Sequence, residues 1–427
     1  MREKSFDLII IGGGIQGTTL SNILTRFGAI DRKSVVVIDD RNVPMEEWFA
    51  VTDRVGMNYL RSPSSHNLEA PLQSLAGFAS LRGRGDEEEF TGPYLRPSLR
   101  LFNEHAISTI ENRGLAELRI PGRVHSVEIE RNGIVAIAGD GSHRAERLLL
   151  AVGSEGYCRI PDWAKTLPLV RHIFDPEFDI ESFLSSSSPI IVGGGLSAVQ
   201  LALRHKHSPV RIISPHPFRV AQFDSDPCFI GPDCLAEYVK IEGSEKRGRT
   251  IEAARHPGSI PPDIALLLEA AIARQEVEYY VGRIVSVHRE RGKFLLEVQN
   301  GKLTSNNGKG EAMAEGNANI TPRTHTEEFW ADTISLATGY CSIPNKDGLV
   351  SRIAQKYSLP VDRFGRPVSD ESLRWSDRIF VTGRAGELTL GPAAPNIIGA
   401  HLAARRLVPF LIRGKSRPID PWTPLVI

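Results

Sequence analysis

Apolar positions along this chain switch between two periods, and the switches mark its elements. Phe6-Asp7-Leu8-Ile9-Ile10-Ile11 is a run of β-formers leading straight into Gly12-Gly13-Gly14. Beyond the glycines, Leu20, Ile23, Leu24 and Phe27 follow the i, i+3, i+4, i+7 spacing of a buried helical face. Val35-Val36-Val37-Ile38 predicts a second buried strand, ending at Asp39. The same plan returns at Pro189-Ile190-Ile191-Val192, with glycines at 193–195, a helix bearing Leu196, Val199 and Leu203 on one face, and the strand Val210-Arg211-Ile212-Ile213. Three further buried strands end in glycine: Arg147–Gly153, Ala331–Gly339 and Arg378–Gly383. Alternation at 123–129 and 134–137 around Arg131-Asn132-Gly133 predicts a hairpin.

Between these elements the pattern weakens. Residues 40–49, with the pair Trp48-Phe49, read as a loop, and 54–63 as irregular structure rich in turn formers. Residues 82–89 read as a charged loop, 242–262 as a polar Gly/Pro-rich excursion and 300–328 as a mobile loop. Helices are expected from Arg96, with Pro97 in the first turn, from Asp263 as N-cap, and over 396–404.

A strand, a glycine turn and a helix together make a cradle for a dinucleotide. In the first copy Gly12 allows the tight turn, Gly14 lets the backbone approach a pyrophosphate, and Gly17 lets helix and strand pack closely. Ile15 and Gln16 open the helix, whose free N–H groups favour phosphate. Asp39, followed by Asp40, stands where a carboxylate accepts a ribose hydroxyl. In the second copy Gly193 and Gly195 take the first two roles, Leu196 and Ser197 open the helix, and Ala198 replaces the third glycine. Its second strand ends in Ser214-Pro215-His216-Pro217-Phe218-Arg219, without a carboxylate. Ser214 and Arg219 there point to the 2′-phosphate of NADP.

Composition narrows the class. The 427 residues exceed one compact core, and 51 basic against 51 acidic residues leave no net charge to recommend a nucleic-acid partner. No apolar run spans a bilayer. The polar start enters the first strand directly, so no signal peptide is expected and the cytoplasm is the expected location. Cys158, Cys228, Cys234 and Cys341 form no C-x-x-C pair and read as reduced thiols, so dithiol–disulfide exchange is not expected. His205 and His207 have no metal spacing, and no metal is expected.

Two such units in one chain resemble the two-dinucleotide-domain flavoproteins. The resemblance covers nearly the full length. It rests on both fingerprints, on Leu150-Ala151-Val152-Gly153, on Leu336-Ala337-Thr338-Gly339-Tyr340 and on Phe380-Val381-Thr382-Gly383. It implies an α/β fold of two Rossmann-like domains, the NADP domain inserted into the FAD domain: residues 1–168 and 329–427 for FAD, 169–328 for NADP. Within that superfamily the chain looks like the N-hydroxylating, class B flavin monooxygenases, the lysine and ornithine N-hydroxylases. Arg54-Val55-Gly56-Met57-Asn58-Tyr59-Leu60 resembles their Met-Gln-x-x-x-Leu flavin loop, with Asn58 in place of Gln. The helix from Arg96 resembles their Arg-x-x-Phe-x-x-Tyr segment, and Arg219 through Phe229 their Arg-x-x-Asp-Asp-Ser-Pro-Phe segment.

The resemblance implies FAD and NADPH as cofactors, hydride transfer to the flavin, a C4a-hydroperoxide, and oxygenation of a small nucleophile such as an amine, with O₂ as co-substrate. No side-chain nucleophile is required. The expected cofactor contacts also include Trp48, Met57, Asn58, Val124, Thr338, Gly339, Tyr340 and Leu390, although composition alone makes Trp48 and Met57 core residues. A homo-oligomer is compatible with this reading. Its rivals are an FAD-dependent NAD(P)H oxidoreductase or oxidase without oxygen transfer, and a flavin redox sensor without turnover.

Overall fold

The computed structural model describes residues 5–83, 88–139, 141–300, 325–341 and 343–413. Residues 84–87 of the expected charged loop and 301–324 of the expected mobile loop lie outside them.

Two seven-stranded sheets carry the fold. In the first, parallel strands Arg119–Pro121, Val35–Asp39, Ser5–Ile11 and Gly141–Leu150 lie side by side, and an antiparallel meander through Gly133–Ala138 and Val124–Glu130 continues the sheet. Gly141–Leu150 is shared. Its first half pairs with the meander (Ile134 opposite Ala145), and its last residues pair with Ile379–Val381 (Leu148 opposite Ile379). The last strand therefore joins this sheet after more than half the chain has intervened. Both faces are covered: Leu8 and Ile10 enter one core, Phe6, Ile9 and Ile11 the other. That is why this strand reads as a continuous apolar run rather than an alternating one.

The second sheet orders its strands Thr326–Ala331, Lys293–Asn300, Val277–Glu290, Val210–Ser214, Pro189–Val192, Thr333–Leu336 and Arg171–His172. The inner strands are parallel and buried, and the 277–331 hairpins extend the edge. The boundary expected at 328 cuts through this sheet, because the strands on either side of Asp332 both belong to it.

Four local expectations are corrected. Residues 46–54 form a helix, Glu46–Arg54, where a loop is expected. The 242–262 excursion contains the helix Ser244–Ala254. Pro97 ends a two-residue strand, and Ser98 caps the helix Leu99–Asn112 by accepting the Leu101 N–H at 3.1 Å. Asp263 lies in the first turn of Pro262–Ala273 behind the N-cap Pro261, and its carboxylate pairs with the buried Arg96 at 2.7 Å.

Arginines stitch the domains together. Arg61 donates to the Gln222 and Ala221 carbonyls at 2.8 and 2.7 Å and to Ser259 Oγ at 2.8 Å. Arg54 reaches the Ile173 carbonyl at 2.8 Å, and Arg204 returns from the second domain to the Arg54 carbonyl at 2.8 Å. Among the described residues, no helix is long and apolar enough to cross a membrane, and no cluster of His, Cys, Asp or Glu has metal-site geometry.

Candidate dinucleotide sites

Each glycine turn sits at the carboxyl edge of its own parallel sheet, the edge where open α/β sheets bind ligands. In the first unit Gly12 has φ 106°, and a Cβ there would strike the Ala151 carbonyl. A Cβ on Gly17 would occupy the place of the Gly12 carbonyl oxygen, so only glycine lets the helix Ile15–Arg26 lie this close to the turn. Gly14 differs: no atom lies within 4 Å of a Cβ built on it. Open space beside an ordinary backbone (φ −72°) is what a ligand-facing glycine provides.

Asp39 ends its strand with both carboxylate oxygens engaged, Oδ2 by the Gly13 N–H at 2.5 Å and Oδ1 by the Arg41 N–H at 2.9 Å. Arg119 stands 3.6 Å away. Each oxygen keeps a lone pair for a further donor. The Gly122 N–H donates to the Asp39 carbonyl at 2.9 Å, which sets Val124 beside the same strand end. Asp40 is exposed.

Gln16 is buried and serves the fold. Its amide donates to the Asn396 and Ala394 carbonyls at 2.8 and 3.2 Å, and its oxygen accepts the Thr382 hydroxyl at 3.1 Å. The start of the first helix is thereby tied to the segment 382–396. Leu390, on that segment, is buried in the first core. Trp48 donates from Nε1 to Asn103 Oδ1 at 3.0 Å and packs its ring on Phe102 (centroids 5.3 Å apart). Met57 packs against cores of both domains, whereas Asn58 is exposed at the domain boundary.

In the second unit Gly193 repeats the geometry of Gly12, with φ 127° and a Cβ barred by the Ala337 carbonyl. Gly195 faces Gly258, whose Cα would lie 3.4 Å from an added Cβ. Leu196 and Ser197 open the helix Leu196–Arg204, and Ala198 is fully buried where Gly17 stands in the first copy. Ser214 is fully buried, and with the Tyr279 hydroxyl it fills the space over Gly194. Arg219 is exposed at the rim, 3.4 Å from the Pro257 carbonyl.

Thr338-Gly339-Tyr340 crosses between the domains. The Thr338 hydroxyl donates to the Arg159 carbonyl, Gly339 has φ 74°, and its carbonyl accepts the Arg159 N–H at 2.8 Å. Tyr340 stacks on Phe174 with centroids 4.9 Å apart, and burial raises its phenol above the usual range. The structure therefore brings Gly12, Gly14, Gly17 and Asp39 to one sheet edge and Gly193, Gly195 and Ser214 to another, with Met57 packed against the cores of both domains, while Trp48 and Leu390 pack within the first core.

Two features escape the sequence. Cys228 and Cys234 form a disulfide, Cα atoms 5.4 Å apart, correcting the expectation of four free thiols; Cys158 and Cys341 are free. Their C-x5-C spacing is no recognised redox signature. The pair starts a segment that grips 387–391: Leu235 packs on Gly391, and the Tyr238 hydroxyl donates to the Leu388 carbonyl at 3.0 Å. The second feature is the fully buried Glu387, which takes Arg255 at 2.5 Å and Arg366 at 3.4 Å.

Two Rossmann-like domains, the second interrupting the first, give this chain the fold of the FAD- and NADP-binding flavoproteins. Solved structures agree over essentially the whole length. The FAD-bound cadaverine monooxygenase DfoA of the desferrioxamine pathway of Erwinia amylovora is 15% identical, with 99% of this chain and 98% of that chain covered and a TM-score of 0.73. The ornithine hydroxylase PvdA of Pseudomonas aeruginosa is 14% identical, covering 96% and 99%, with a TM-score of 0.71. The bacillithiol disulfide reductase Bdr of Bacillus cereus is 15% identical, covering 96% and 100%, at a lower TM-score of 0.59. No sequence-family model and no curated protein sequence matches the chain.

Proposed function

We propose that this protein is an FAD-dependent, NADPH-using monooxygenase that oxygenates a small nucleophile, an amine, with O₂ as co-substrate. The observation that supports it most is the pair of glycine turns, each with its first glycine barred from carrying a Cβ and each at the carboxyl edge of a parallel sheet. An enzyme that keeps one dinucleotide and receives another needs this duplication. The two structures with the higher TM-scores here are named a cadaverine monooxygenase and an ornithine hydroxylase.

In this reading the first unit holds FAD. The open space at Gly14 admits the diphosphate, Asp39 accepts a ribose hydroxyl, and Val124 lies on the adenosine side. The second unit receives NADPH over Gly193, Gly195 and the helix start at Leu196 and Ser197, with Arg219 at the rim for the 2′-phosphate. The flavin supplies hydride acceptance and oxygen activation. Met57, packed against the cores of both domains, and Tyr340, stacked on Phe174, would with Asn58 help to exclude water between the sites. The stacked, buried Tyr340 keeps its proton at neutral pH and so offers a neutral face there.

Purified protein should carry the visible spectrum of an oxidised flavin and oxidise NADPH. With a productive amine, hydroxylated product should appear and released peroxide should fall. Peroxide equal to NADPH consumed, for every amine tried, would replace this reading by an oxidase. Electron transfer without oxygen insertion is the second reading. The fold shared with a disulfide reductase favours it. Arg219→Ala should raise the KM for NADPH about tenfold and leave that for NADH unchanged, the loss of about one charge-assisted contact.

A further inference from the structure

The first strand of the sheet, its neighbour 141–150 and the last strand end together at one edge, at Gly12, Ala151 and Thr382. The Thr382 N–H donates to the Leu150 carbonyl at 3.0 Å. Gly383 follows with φ 58°, and a Cβ on it would lie 3.2 Å from Gln16 Cγ. The short turn Gly383–Gly386 thus abuts the beginning of the first helix, and its second residue is Arg384. Arg384 lines a cleft together with Gly153, Ser154, Glu155 and Cys341.

Arg384 is mostly buried and has no hydrogen-bond or ion-pair partner among the described residues. The acids around it are committed elsewhere. Glu387 is held by Arg255 and Arg366, Asp224 accepts from Asn396 Nδ2 at 3.0 Å, and Glu155 accepts the Leu349 N–H at 2.6 Å. Burial lowers the guanidinium's pKa, and the charges of Glu387 and Asp224, each bonded to other groups, offset that desolvation only in part. A desolvated cation without a partner destabilises the protein that carries it unless an anion arrives from outside.

We propose that Arg384 is the counter-ion of the diphosphate of the dinucleotide held by the first unit, opposite the helix start beside Gly14. A planar guanidinium recognises phosphate oxygens through paired N–H donors, and the helix start offers N–H groups from the other side. The open volume beside Gly14 is the second, independent mark of a ligand at this edge. The inference rests on the FAD reading above and deepens it.

Wild-type apoprotein, Arg384→Met and Arg384→Lys are titrated with FAD, ADP and adenosine, following flavin fluorescence or heat. FAD and ADP should bind R384M roughly ten- to a hundredfold more weakly, adenosine should bind equally to all three proteins, and lysine should restore part of the loss. The melting temperature of the apoprotein should be unchanged or higher in R384M, because the variant loses an unpaired buried charge. Unchanged FAD and ADP affinity in R384M would overturn the proposal, as would a loss confined to the NADPH KM or the amine KM, which would assign the guanidinium to another ligand. A lower apoprotein melting temperature with unchanged affinity would make Arg384 structural. Wild-type protein that binds no FAD would instead refute the flavin reading itself.

Discussion

Gly14 and Gly17, three residues apart, answer to different demands. A Cβ at 17 collides with backbone that has nowhere to go, whereas a Cβ at 14 meets nothing. Gly17→Ala should therefore cost about 2–3 kcal/mol or more, read as a fall in denaturation midpoint at unchanged slope. Gly14→Val should fold with a near-normal melting temperature yet emerge without bound flavin. Both roles are legible in the sequence because fingerprint spacing encodes backbone geometry. The histidines are not. His66 is buried beside His401, with no partner for Nδ1 among the described residues, and its pKa falls from 6.5 to about 3. It stays neutral in the folded state while the unfolded chain protonates near 6.5. Its stabilising effect is complete above 6.5 and shrinks as pH falls from there to about 3. One such group accounts for about 2 kcal/mol lost by pH 5. The melting temperature should drop between pH 7 and 5, and less steeply in His66→Gln.

At the scale of elements, legibility followed the source of the signal. Strands buried on both faces and helices behind glycine turns announced themselves. The helix Glu46–Arg54 did not, because its N-cap is Met45, left-handed at φ 62°, with no capping side chain. Ser244–Ala254 was obscured by its charge: it buries only Gly248, Ile251 and Ala254, and Gly243 caps it. Asp263 had the residue type of a cap but is used as the partner of Arg96, a pairing across 167 positions that no local pattern encodes. The same holds for Arg255, Arg366 and Glu387. Glu387→Gln takes the carboxylate from Arg255 and one of two from Arg366, which keeps Asp362 at 2.7 Å, and should cost about 3 kcal/mol by chemical denaturation. Glu387→Asp should recover only part of that loss, since the shorter side chain cannot reach both arginines.

For the molecule as a whole, both cradles could be read from the chain, whereas the closure between distant segments could not. Nor could the short-range disulfide between Cys228 and Cys234. Alkylation of unfolded, unreduced protein should modify two cysteines, Cys158 and Cys341, and all four after reduction, counted by mass. In the folded protein Cys158 should react slowly even at pH 8, since burial pushes its thiol up to about 12. Opening so short a loop should lower stability by about 2 kcal/mol, a shift in midpoint between oxidised and reduced samples.

The tie from Gln16 to Asn396 spans 380 positions and has a consequence for biosynthesis. As the chain is synthesised, its opening strand and glycine turn are made 380 positions ahead of the Asn396 carbonyl that holds Gln16, and well ahead of the strand Ile379–Val381 that completes the edge of the first sheet. The nascent amino-terminal half must wait, with that edge unfilled, while the entire inserted domain is synthesised and folds. A message cut short before codon 396 should yield a product that chaperones retain and proteases clear, however sound its opening fingerprint.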